Sequence, residues 1–193
     1  MKKMLTAIMV SILAIIPAVA QAVVINFDDI PGSGIRTWSG DRYLAQGVLF
    51  STDGLSLGAF NAEYTNTPPT YIYGSSSAGA FPADKQVIVT FLSITDLVSF
   101  YLADGHTGTG ALWKAEVFDI SNVPLGSVTG TTNDEILISL SFAGIKKLVF
   151  TPSSDAEGID TLTFNASVPE PGILMLLGLS LLTLFGFRKF RKA

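Results

Sequence analysis

The chain has 193 residues, with 12 Lys and Arg against 16 Asp and Glu, and a formal net charge of −4. It contains no cysteine, which excludes disulfides, cysteine-based zinc sites and cysteine catalysis. Residues 23–167 hold six of the basic and fifteen of the acidic residues, a formal charge of −9, so they lack the basic surface that nucleic-acid binding needs.

The N-terminal end has the three parts of a secretory signal peptide. Two lysines precede an apolar run from Leu5 to Ile16, and Ala18-Val19-Ala20 follows shortly after. A basic start, a short apolar stretch and small residues at alternate positions are typical of a signal that is removed on export. Cleavage after Ala20 fits this pattern, and cleavage after Ala22 fits it too. We therefore predict a signal peptide over residues 1–22, outside the fold.

Residues 23–167 carry the pattern of one β domain. Over residues 135–142, for example, Ile138, Leu140 and Phe142 alternate with Ser139 and Ser141, which is the period of a half-buried strand. Turn residues separate such segments, and no long helical periodicity occurs between them. The predicted strands are 23–27, 47–51, 71–73, 86–91, 97–102, 112–117, 125–129, 135–142, 146–151 and 159–164. Short strands with regular turns predict an all-β fold, an antiparallel β-sandwich of jelly-roll-like type.

Residues 52–82 are the least regular part, a long loop region with room for two short strands. Loops on a rigid scaffold often carry recognition. Four aromatic residues lie in or beside predicted loops, where exposed rings can stack on sugars: Trp38, Tyr64, Tyr71 and Tyr73. We predict a ligand-binding role for them. The competing interpretation is that these rings fill the core or pad a loop.

Catalytic signals are poor. His106, the single histidine, lacks the recognisable nucleophile and orienting acid of a triad, and a solvated turn explains it. Among fifteen acids, no pair stands out for hydrolysis of sugars. We predict a protein that is not an enzyme. A glycan-active hydrolase on the same fold is the alternative, favoured if two carboxylates face each other across a cleft at about 5–9 Å.

Two acidic clusters stand at the ends of the first and last strands. Asp28 and Asp29 follow the first strand, and Glu157 and Asp160 open the last. Asp29 and Asp160 share strand parity with apolar neighbours, and a carboxylate on the apolar side needs hydrogen bonds or a cation. If the two strands are neighbours, the four residues can hold one structural calcium ion together with loop carbonyls. The competing interpretation is that they are ordinary strand-end acids, hydrogen-bonded or solvated.

The same segments carry a resemblance. Phe27-Asp28-Asp29, Tyr43 with Gly47-Val48-Leu49-Phe50, and the closing Ile159–Phe164 strand resemble bacterial exported jelly-roll domains. That group includes carbohydrate-binding modules with a structural calcium ion. The resemblance implies a non-catalytic structural or glycan-binding role, with exopolysaccharide as a partner.

The C-terminal end, residues 168–193, has the parts of a membrane element. An uncharged run from Gly172 to Phe187 is followed by four cations within residues 188–193. Sixteen helical residues span about 24 Å, short of a hydrocarbon core of about 30 Å, which local thinning and long basic side chains can accommodate. We predict a transmembrane helix over 172–187 with its basic end in the cytoplasm. A buried core helix is the alternative.

Val168-Pro169-Glu170-Pro171 precedes this run, and its prolines keep the chain extended and accessible. Hinge, span and basic end together resemble the PEP-CTERM sorting signal of Gram-negative bacteria. The resemblance implies recognition and removal of the tail by an exosortase, transient anchoring in the inner membrane, and delivery to the cell surface or the extracellular matrix. A plain anchor that is never cut is the alternative.

Overall fold

The computed structural model describes seven stretches of the chain: residues 21–30, 36–60, 70–77, 85–104, 112–131, 135–153 and 157–166. They belong to one compact unit, Gln21–Ser167. Residues 1–20 of the predicted signal peptide, the predicted transmembrane helix and the sorting motif lie outside the described residues, so those predictions and the domain boundaries stay predictions. Residues 21 and 22, the last two of the predicted signal peptide, are part of the first strand and not outside the fold. In the described ranges there is no helix with the length and apolar character that crossing a membrane requires.

The described residues form β-strands and one short 3₁₀ turn, Leu44–Gln46. The strands are β1 (Gln21–Ile25), β2 (Arg36–Trp38), β3 (Val48–Thr52), β4 (Ser56–Phe60), β5 (Tyr71–Ser75), β6 (Val87–Asp104), β7 (Trp113–Phe118), β8 (Pro124–Gly130), β9 (Ile136–Thr151) and β10 (Glu157–Ala166).

All strand pairs are antiparallel, and the two longest strands, β6 and β9, lie at the centre. The first half of β6 pairs with β3, and the second half of β9 pairs with β7, which pairs with β8. The second half of β6 pairs with β10, beyond which β5, β4 and β2 follow in that order. Between the halves, the register of β6 with β9 shifts twice, between residues 90 and 97.

The core lies between two groups of strands. One group surrounds the first half of β6 and the second half of β9, and the other surrounds the second half of β6. Phe100 in the second half of β6 contacts Phe150 in the second half of β9, with ring centroids 5.8 Å apart. Phe91 contacts Phe164 of β10 at 5.0 Å. All four rings are buried in one apolar cluster. The predicted antiparallel β-sandwich is therefore confirmed.

The strands differ from the prediction because four predicted strands merge into two and β2 has no predicted counterpart. The predicted strands 86–91 and 97–102 are one continuous strand, β6, and 135–142 and 146–151 are one strand, β9. Side chains make hydrogen bonds where the register of these two strands shifts: Gly144 donates its backbone N–H to Asp96 Oδ1 at 2.9 Å, and the buried Thr95 hydroxyl donates to the Leu97 carbonyl at 2.9 Å. The irregular region 52–82 does contain two short strands, β4 and β5.

Candidate functional site

The parity prediction for Asp160 is wrong, because β10 has a bulge. Thr161 adopts a positive φ of 44°, and the register of β10 with β6 shifts between Asp160 and Thr163. Ile159 and Leu162 both lie in the core cluster although they are three residues apart. Asp160 therefore shares the face of Gly158, opposite to Ile159.

This opposite side of the sheet, turned away from the main core, is the candidate functional site, and we call it the outer face. Strand register and alternation place on it side chains from β5, β10, β6 and the start of β9, together with Glu135 just before β9. Its members are Tyr71, Tyr73, Ser99, Tyr101, Ala103, Glu135, Leu137, Ser139, Gly158, Asp160 and Thr163.

Glu135 and Asp160 are two carboxylates of the outer face, and the charge of Asp160 acts on Glu135. Asp160 has no exposed surface and accepts a hydrogen bond from the Thr161 hydroxyl at 3.1 Å. Burial, and then the charge of Asp160, raise the pKa of Glu135. One Glu135 oxygen, Oε1, is buried without a hydrogen-bond partner in the described part of the chain. Glu135 therefore binds a proton more readily than an ordinary glutamate does.

Tyr71 and Tyr73 lie on β5, the neighbour of β10, and share the outer face with this pair. Both are buried, at 0% and 1% exposure, and their ring centroids lie 6.1 Å apart. Tyr71 packs over Gly158 of β10 and Tyr73 over Gly58 of β4, where a Cβ atom would leave no room for either ring. Burial raises the pKa of Tyr73 to about 12. The expectation that these two rings are exposed is wrong, because both are buried within strand β5, which includes the predicted strand 71–73.

The other two aromatic residues that were predicted to bind a ligand are Trp38 and Tyr64. Trp38 of β2 packs on the buried rings of Phe27, Tyr43 and Phe50, with the Phe50 centroid at 5.3 Å. Its indole N–H donates to the Gly58 carbonyl at 3.2 Å. Trp38 is thus half-buried at the edge of the core, as the competing interpretation had it. Tyr64 lies outside the described residues, as does His106.

The sequence analysis missed Tyr101, the partly exposed aromatic of the outer face. Tyr101 is the register partner of Asp160 on one side and of Leu137, 55% exposed, on the other. Alternation could have found it, because Val98, Phe100 and Leu102 take the core side of β6 and leave Ser99 and Tyr101 opposite.

The four residues predicted to bind calcium do not form one site. The first and last strands are neighbours as supposed, with Ile25 opposite Leu162. However, Asp29 pairs with Arg42 at 3.1 Å and accepts the Tyr43 hydroxyl, whereas Glu157 accepts the Ser153 N–H at 2.5 Å and the Ser153 hydroxyl. Asp28 accepts from Asn26 at 2.6 Å. No group of three or more potential ligands occurs in the described ranges. Binding of calcium by the domain stays a prediction.

We expect Glu135→Gln to stabilise the domain at neutral pH. Because the folded state raises the pKa of Glu135, the folded protein binds the proton more tightly than the unfolded chain. The resulting stability is complete below the ordinary pKa and is lost as the pH rises through the raised one. Above the raised pKa the wild type holds two negative charges on this face, and glutamine removes one of them. Melting temperatures of both proteins across the acid range measure this.

The gain should shrink on acidification, since wild-type Glu135 is then protonated. Glu116→Gln is the matched control, because Glu116 lies on β7 and pairs with Lys114 at 3.0 Å. This control should show no gain at neutral pH. An equal gain from both variants would mean that net charge, and not the carboxylate pair, decides the effect.

Fold and outer face define the described domain as an antiparallel β-sandwich with an acidic, tyrosine-lined face. Residues 167–192 match the family model of the PEP-CTERM protein-sorting motif. The predicted PEP-CTERM tail is confirmed as a sequence motif by this match. A search of curated proteins found no relative of this chain.

Several solved structures are similar to the chain at low identity. A DUF4465 family protein from Bacteroides caccae is 11% identical, with 75% of this chain and 98% of that chain covered and a TM-score of 0.49. The K1 cleaved adhesin domain of Lys-gingipain from Porphyromonas gingivalis is 17% identical, covering 77% and 99%, at 0.44. A family 6 carbohydrate-binding module is 14% identical, covering 70% and 95%, at 0.38. Likenesses of this order carry no conclusion about ligand or activity.

Proposed function

We propose that this is an exported protein of a Gram-negative bacterium that an exosortase sorts to the cell surface or extracellular matrix. The observation that carries the proposal is the PEP-CTERM motif at residues 167–192. The signal-peptide pattern before β1 and the apolar run with its basic end agree with it. In this proposal residues 172–187 hold the protein in the inner membrane until the tail is removed near Pro171.

We expect the mature protein to lack the residues after about Pro171, because the hinge is accessible and the span must be left behind. Intact mass of the protein from its native host measures this. Changing Pro169, Glu170 and Pro171 together to alanine should leave the whole tail in place and the protein in the membrane fraction, since the apolar span survives.

Ser167→Ala is the matched control, because Ser167 lies outside the Pro-Glu-Pro hinge, and it should be processed like the wild type. A wild-type protein that still ends at Ala193 in a strain with an active exosortase would contradict the proposal. Release of the triple-alanine variant would show that the Pro-Glu-Pro hinge is not what the enzyme reads.

We further propose that the domain, a jelly-roll-like sandwich, binds a glycan such as exopolysaccharide on its outer face and has no catalytic role. Tyr101 offers a partly exposed ring between Asp160 and Leu137. The hydroxyls of Ser99 and Ser139 lie opposite each other two residues away. An aromatic face beside carboxylates and hydroxyls suits a ligand that is both ring-shaped and rich in hydroxyls.

Tyr101→Ala should weaken retention on immobilised polysaccharide from the native host at least tenfold, because it removes the accessible ring. Phe118→Ala is the matched control: Phe118 is also half-buried, but it lies on β7, where Lys147 covers it at 4.4 Å. This variant should be retained like the wild type. Equal retention of all three proteins would remove the outer face as the binding site.

One observation favours the alternative, a glycan hydrolase. Glu135 and Asp160 are neighbouring carboxylates of which one has a raised pKa, as in glycosidases where one acid is protonated and the other ionised. A hydrolase would release reducing ends from the polysaccharide, and Glu135→Gln would abolish that release while binding persists. A wild-type protein that binds without releasing reducing ends excludes the hydrolase for that glycan.

A further inference from the structure

The start of β1 bears on where the signal peptide is cut. β1 begins at Gln21 and pairs with β10 through five residues, from Gln21 opposite Ala166 to Ile25 opposite Leu162. The pairing of β10 with β6 ends at Phe164. Among the described strands, Gln21 and Ala22 are therefore the sole register partners that Ala166 and Asn165 have.

The two cleavage sites that the sequence allows affect this strand differently. A cut after Ala20 leaves all five residues of β1. A cut after Ala22 removes two of the five and leaves the end of β10 without its neighbour. The small-x-small pattern alone does not distinguish them, because Ala18, Ala20 and Ala22 supply it in either frame.

The charge of the new N-terminus also favours a cut after Ala20. Signal-peptide removal creates an α-ammonium group, which is costly to place against an apolar core. Val23 is partly buried and packs against the core cluster. Gln21 and Ala22 are both exposed. A terminus at Gln21 therefore keeps its charge in solvent, two residues before the chain enters the core.

We propose that signal peptidase hydrolyses the peptide bond between Ala20 and Gln21, so that the mature protein begins at Gln21 and not at Val23. Water adds to the Ala20 carbonyl carbon, the bond to the Gln21 nitrogen breaks, and Gln21 leaves with the free amine. The inference rests on the proposed export and deepens it. It also places the mature N-terminus beside Ala166, the last strand residue before the sorting tail.

The test is mass spectrometry of the N-terminal peptide of the full chain, produced in an exporting Gram-negative host. We expect a peptide that begins at Gln21. Attack of its amine on the side-chain amide carbon, with loss of ammonia, gives pyroglutamate, so either form counts as a Gln21 start. A start at Val23 would overturn the proposed site but leave export intact. Retention of Met1 would overturn both.

Two variants with the same substitution separate the frames. Trp at either outer small position blocks a single frame, because signal peptidase needs small residues there. Ala22→Trp should leave the start at Gln21, and the exposed Ala22 side chain tolerates the larger group. Ala18→Trp should abolish that start and retain the leader or move the start to Val23. An unchanged start with Ala18→Trp would also overturn the proposal.

Discussion

Phe27→Ala is expected to lower the free energy of unfolding by about 3–5 kcal/mol, the usual loss for removing a fully buried aromatic ring. Phe27 has no exposed surface. Its ring meets Tyr43 and Phe50 edge-on, with centroids 5.5 and 5.6 Å away. It also takes a positive φ of 59°, which alanine must adopt too, so the substitution removes packing without relieving the backbone. Urea denaturation of residues 21–167 measures the loss.

Leu137→Ala serves as the control, because its side chain is 55% exposed on β9. Substitutions of that kind usually change stability by less than about 0.5 kcal/mol. If the two variants unfolded at the same urea concentration, the aromatic cluster around Phe27 would not be a principal support of this end of the sandwich.

Alternation predicted the strands whose two sides differ in chemistry. Ile138 and Leu140 face the core while Ser139 faces water, and the pattern is plain. Strand β4 shows no such alternation, because the residue on its outer side is Gly58, against which the Tyr73 ring packs. The merging of four predicted strands into β6 and β9 also escaped prediction, because it depends on contacts such as Asp96 with Gly144.

The outer face was harder to predict for a physical reason. Parity is a reliable guide only while a strand is regular, and the bulge at Thr161 moves Asp160 to the side opposite to the predicted one. The approach of Glu135 to Asp160 depends on two strands that meet β6 from opposite sides. A single sequence carries no direct signal for such a pairing, whereas Tyr101 was within reach of alternation alone.

Gly158→Ala is expected to destabilise the domain by about 1–3 kcal/mol, the range for forcing an extra methyl group into a packed region. An added Cβ would lie less than 3.0 Å from the Ile72 carbonyl oxygen and the Tyr71 ring, closer than real Cβ atoms approach other atoms. The carbonyl belongs to the backbone of β5 and cannot turn aside. We therefore expect β5 to move away from β10, which displaces Tyr71 and Tyr73 on the outer face.

Gly126→Ala on strand β8 makes the matched control, because there the three atoms nearest to the new methyl group all belong to the ring of Phe142, a partly buried side chain. That ring can rotate, and alanine also restricts the unfolded chain more than glycine does, so the control should lose little stability or gain some. Thermal unfolding compares the two variants, and near-ultraviolet circular dichroism follows the tyrosines. Since only Gly158 touches backbone, its variant should melt lower and show an altered tyrosine signal; equal melting of the two would mean that β5 does not pack on β10 this closely.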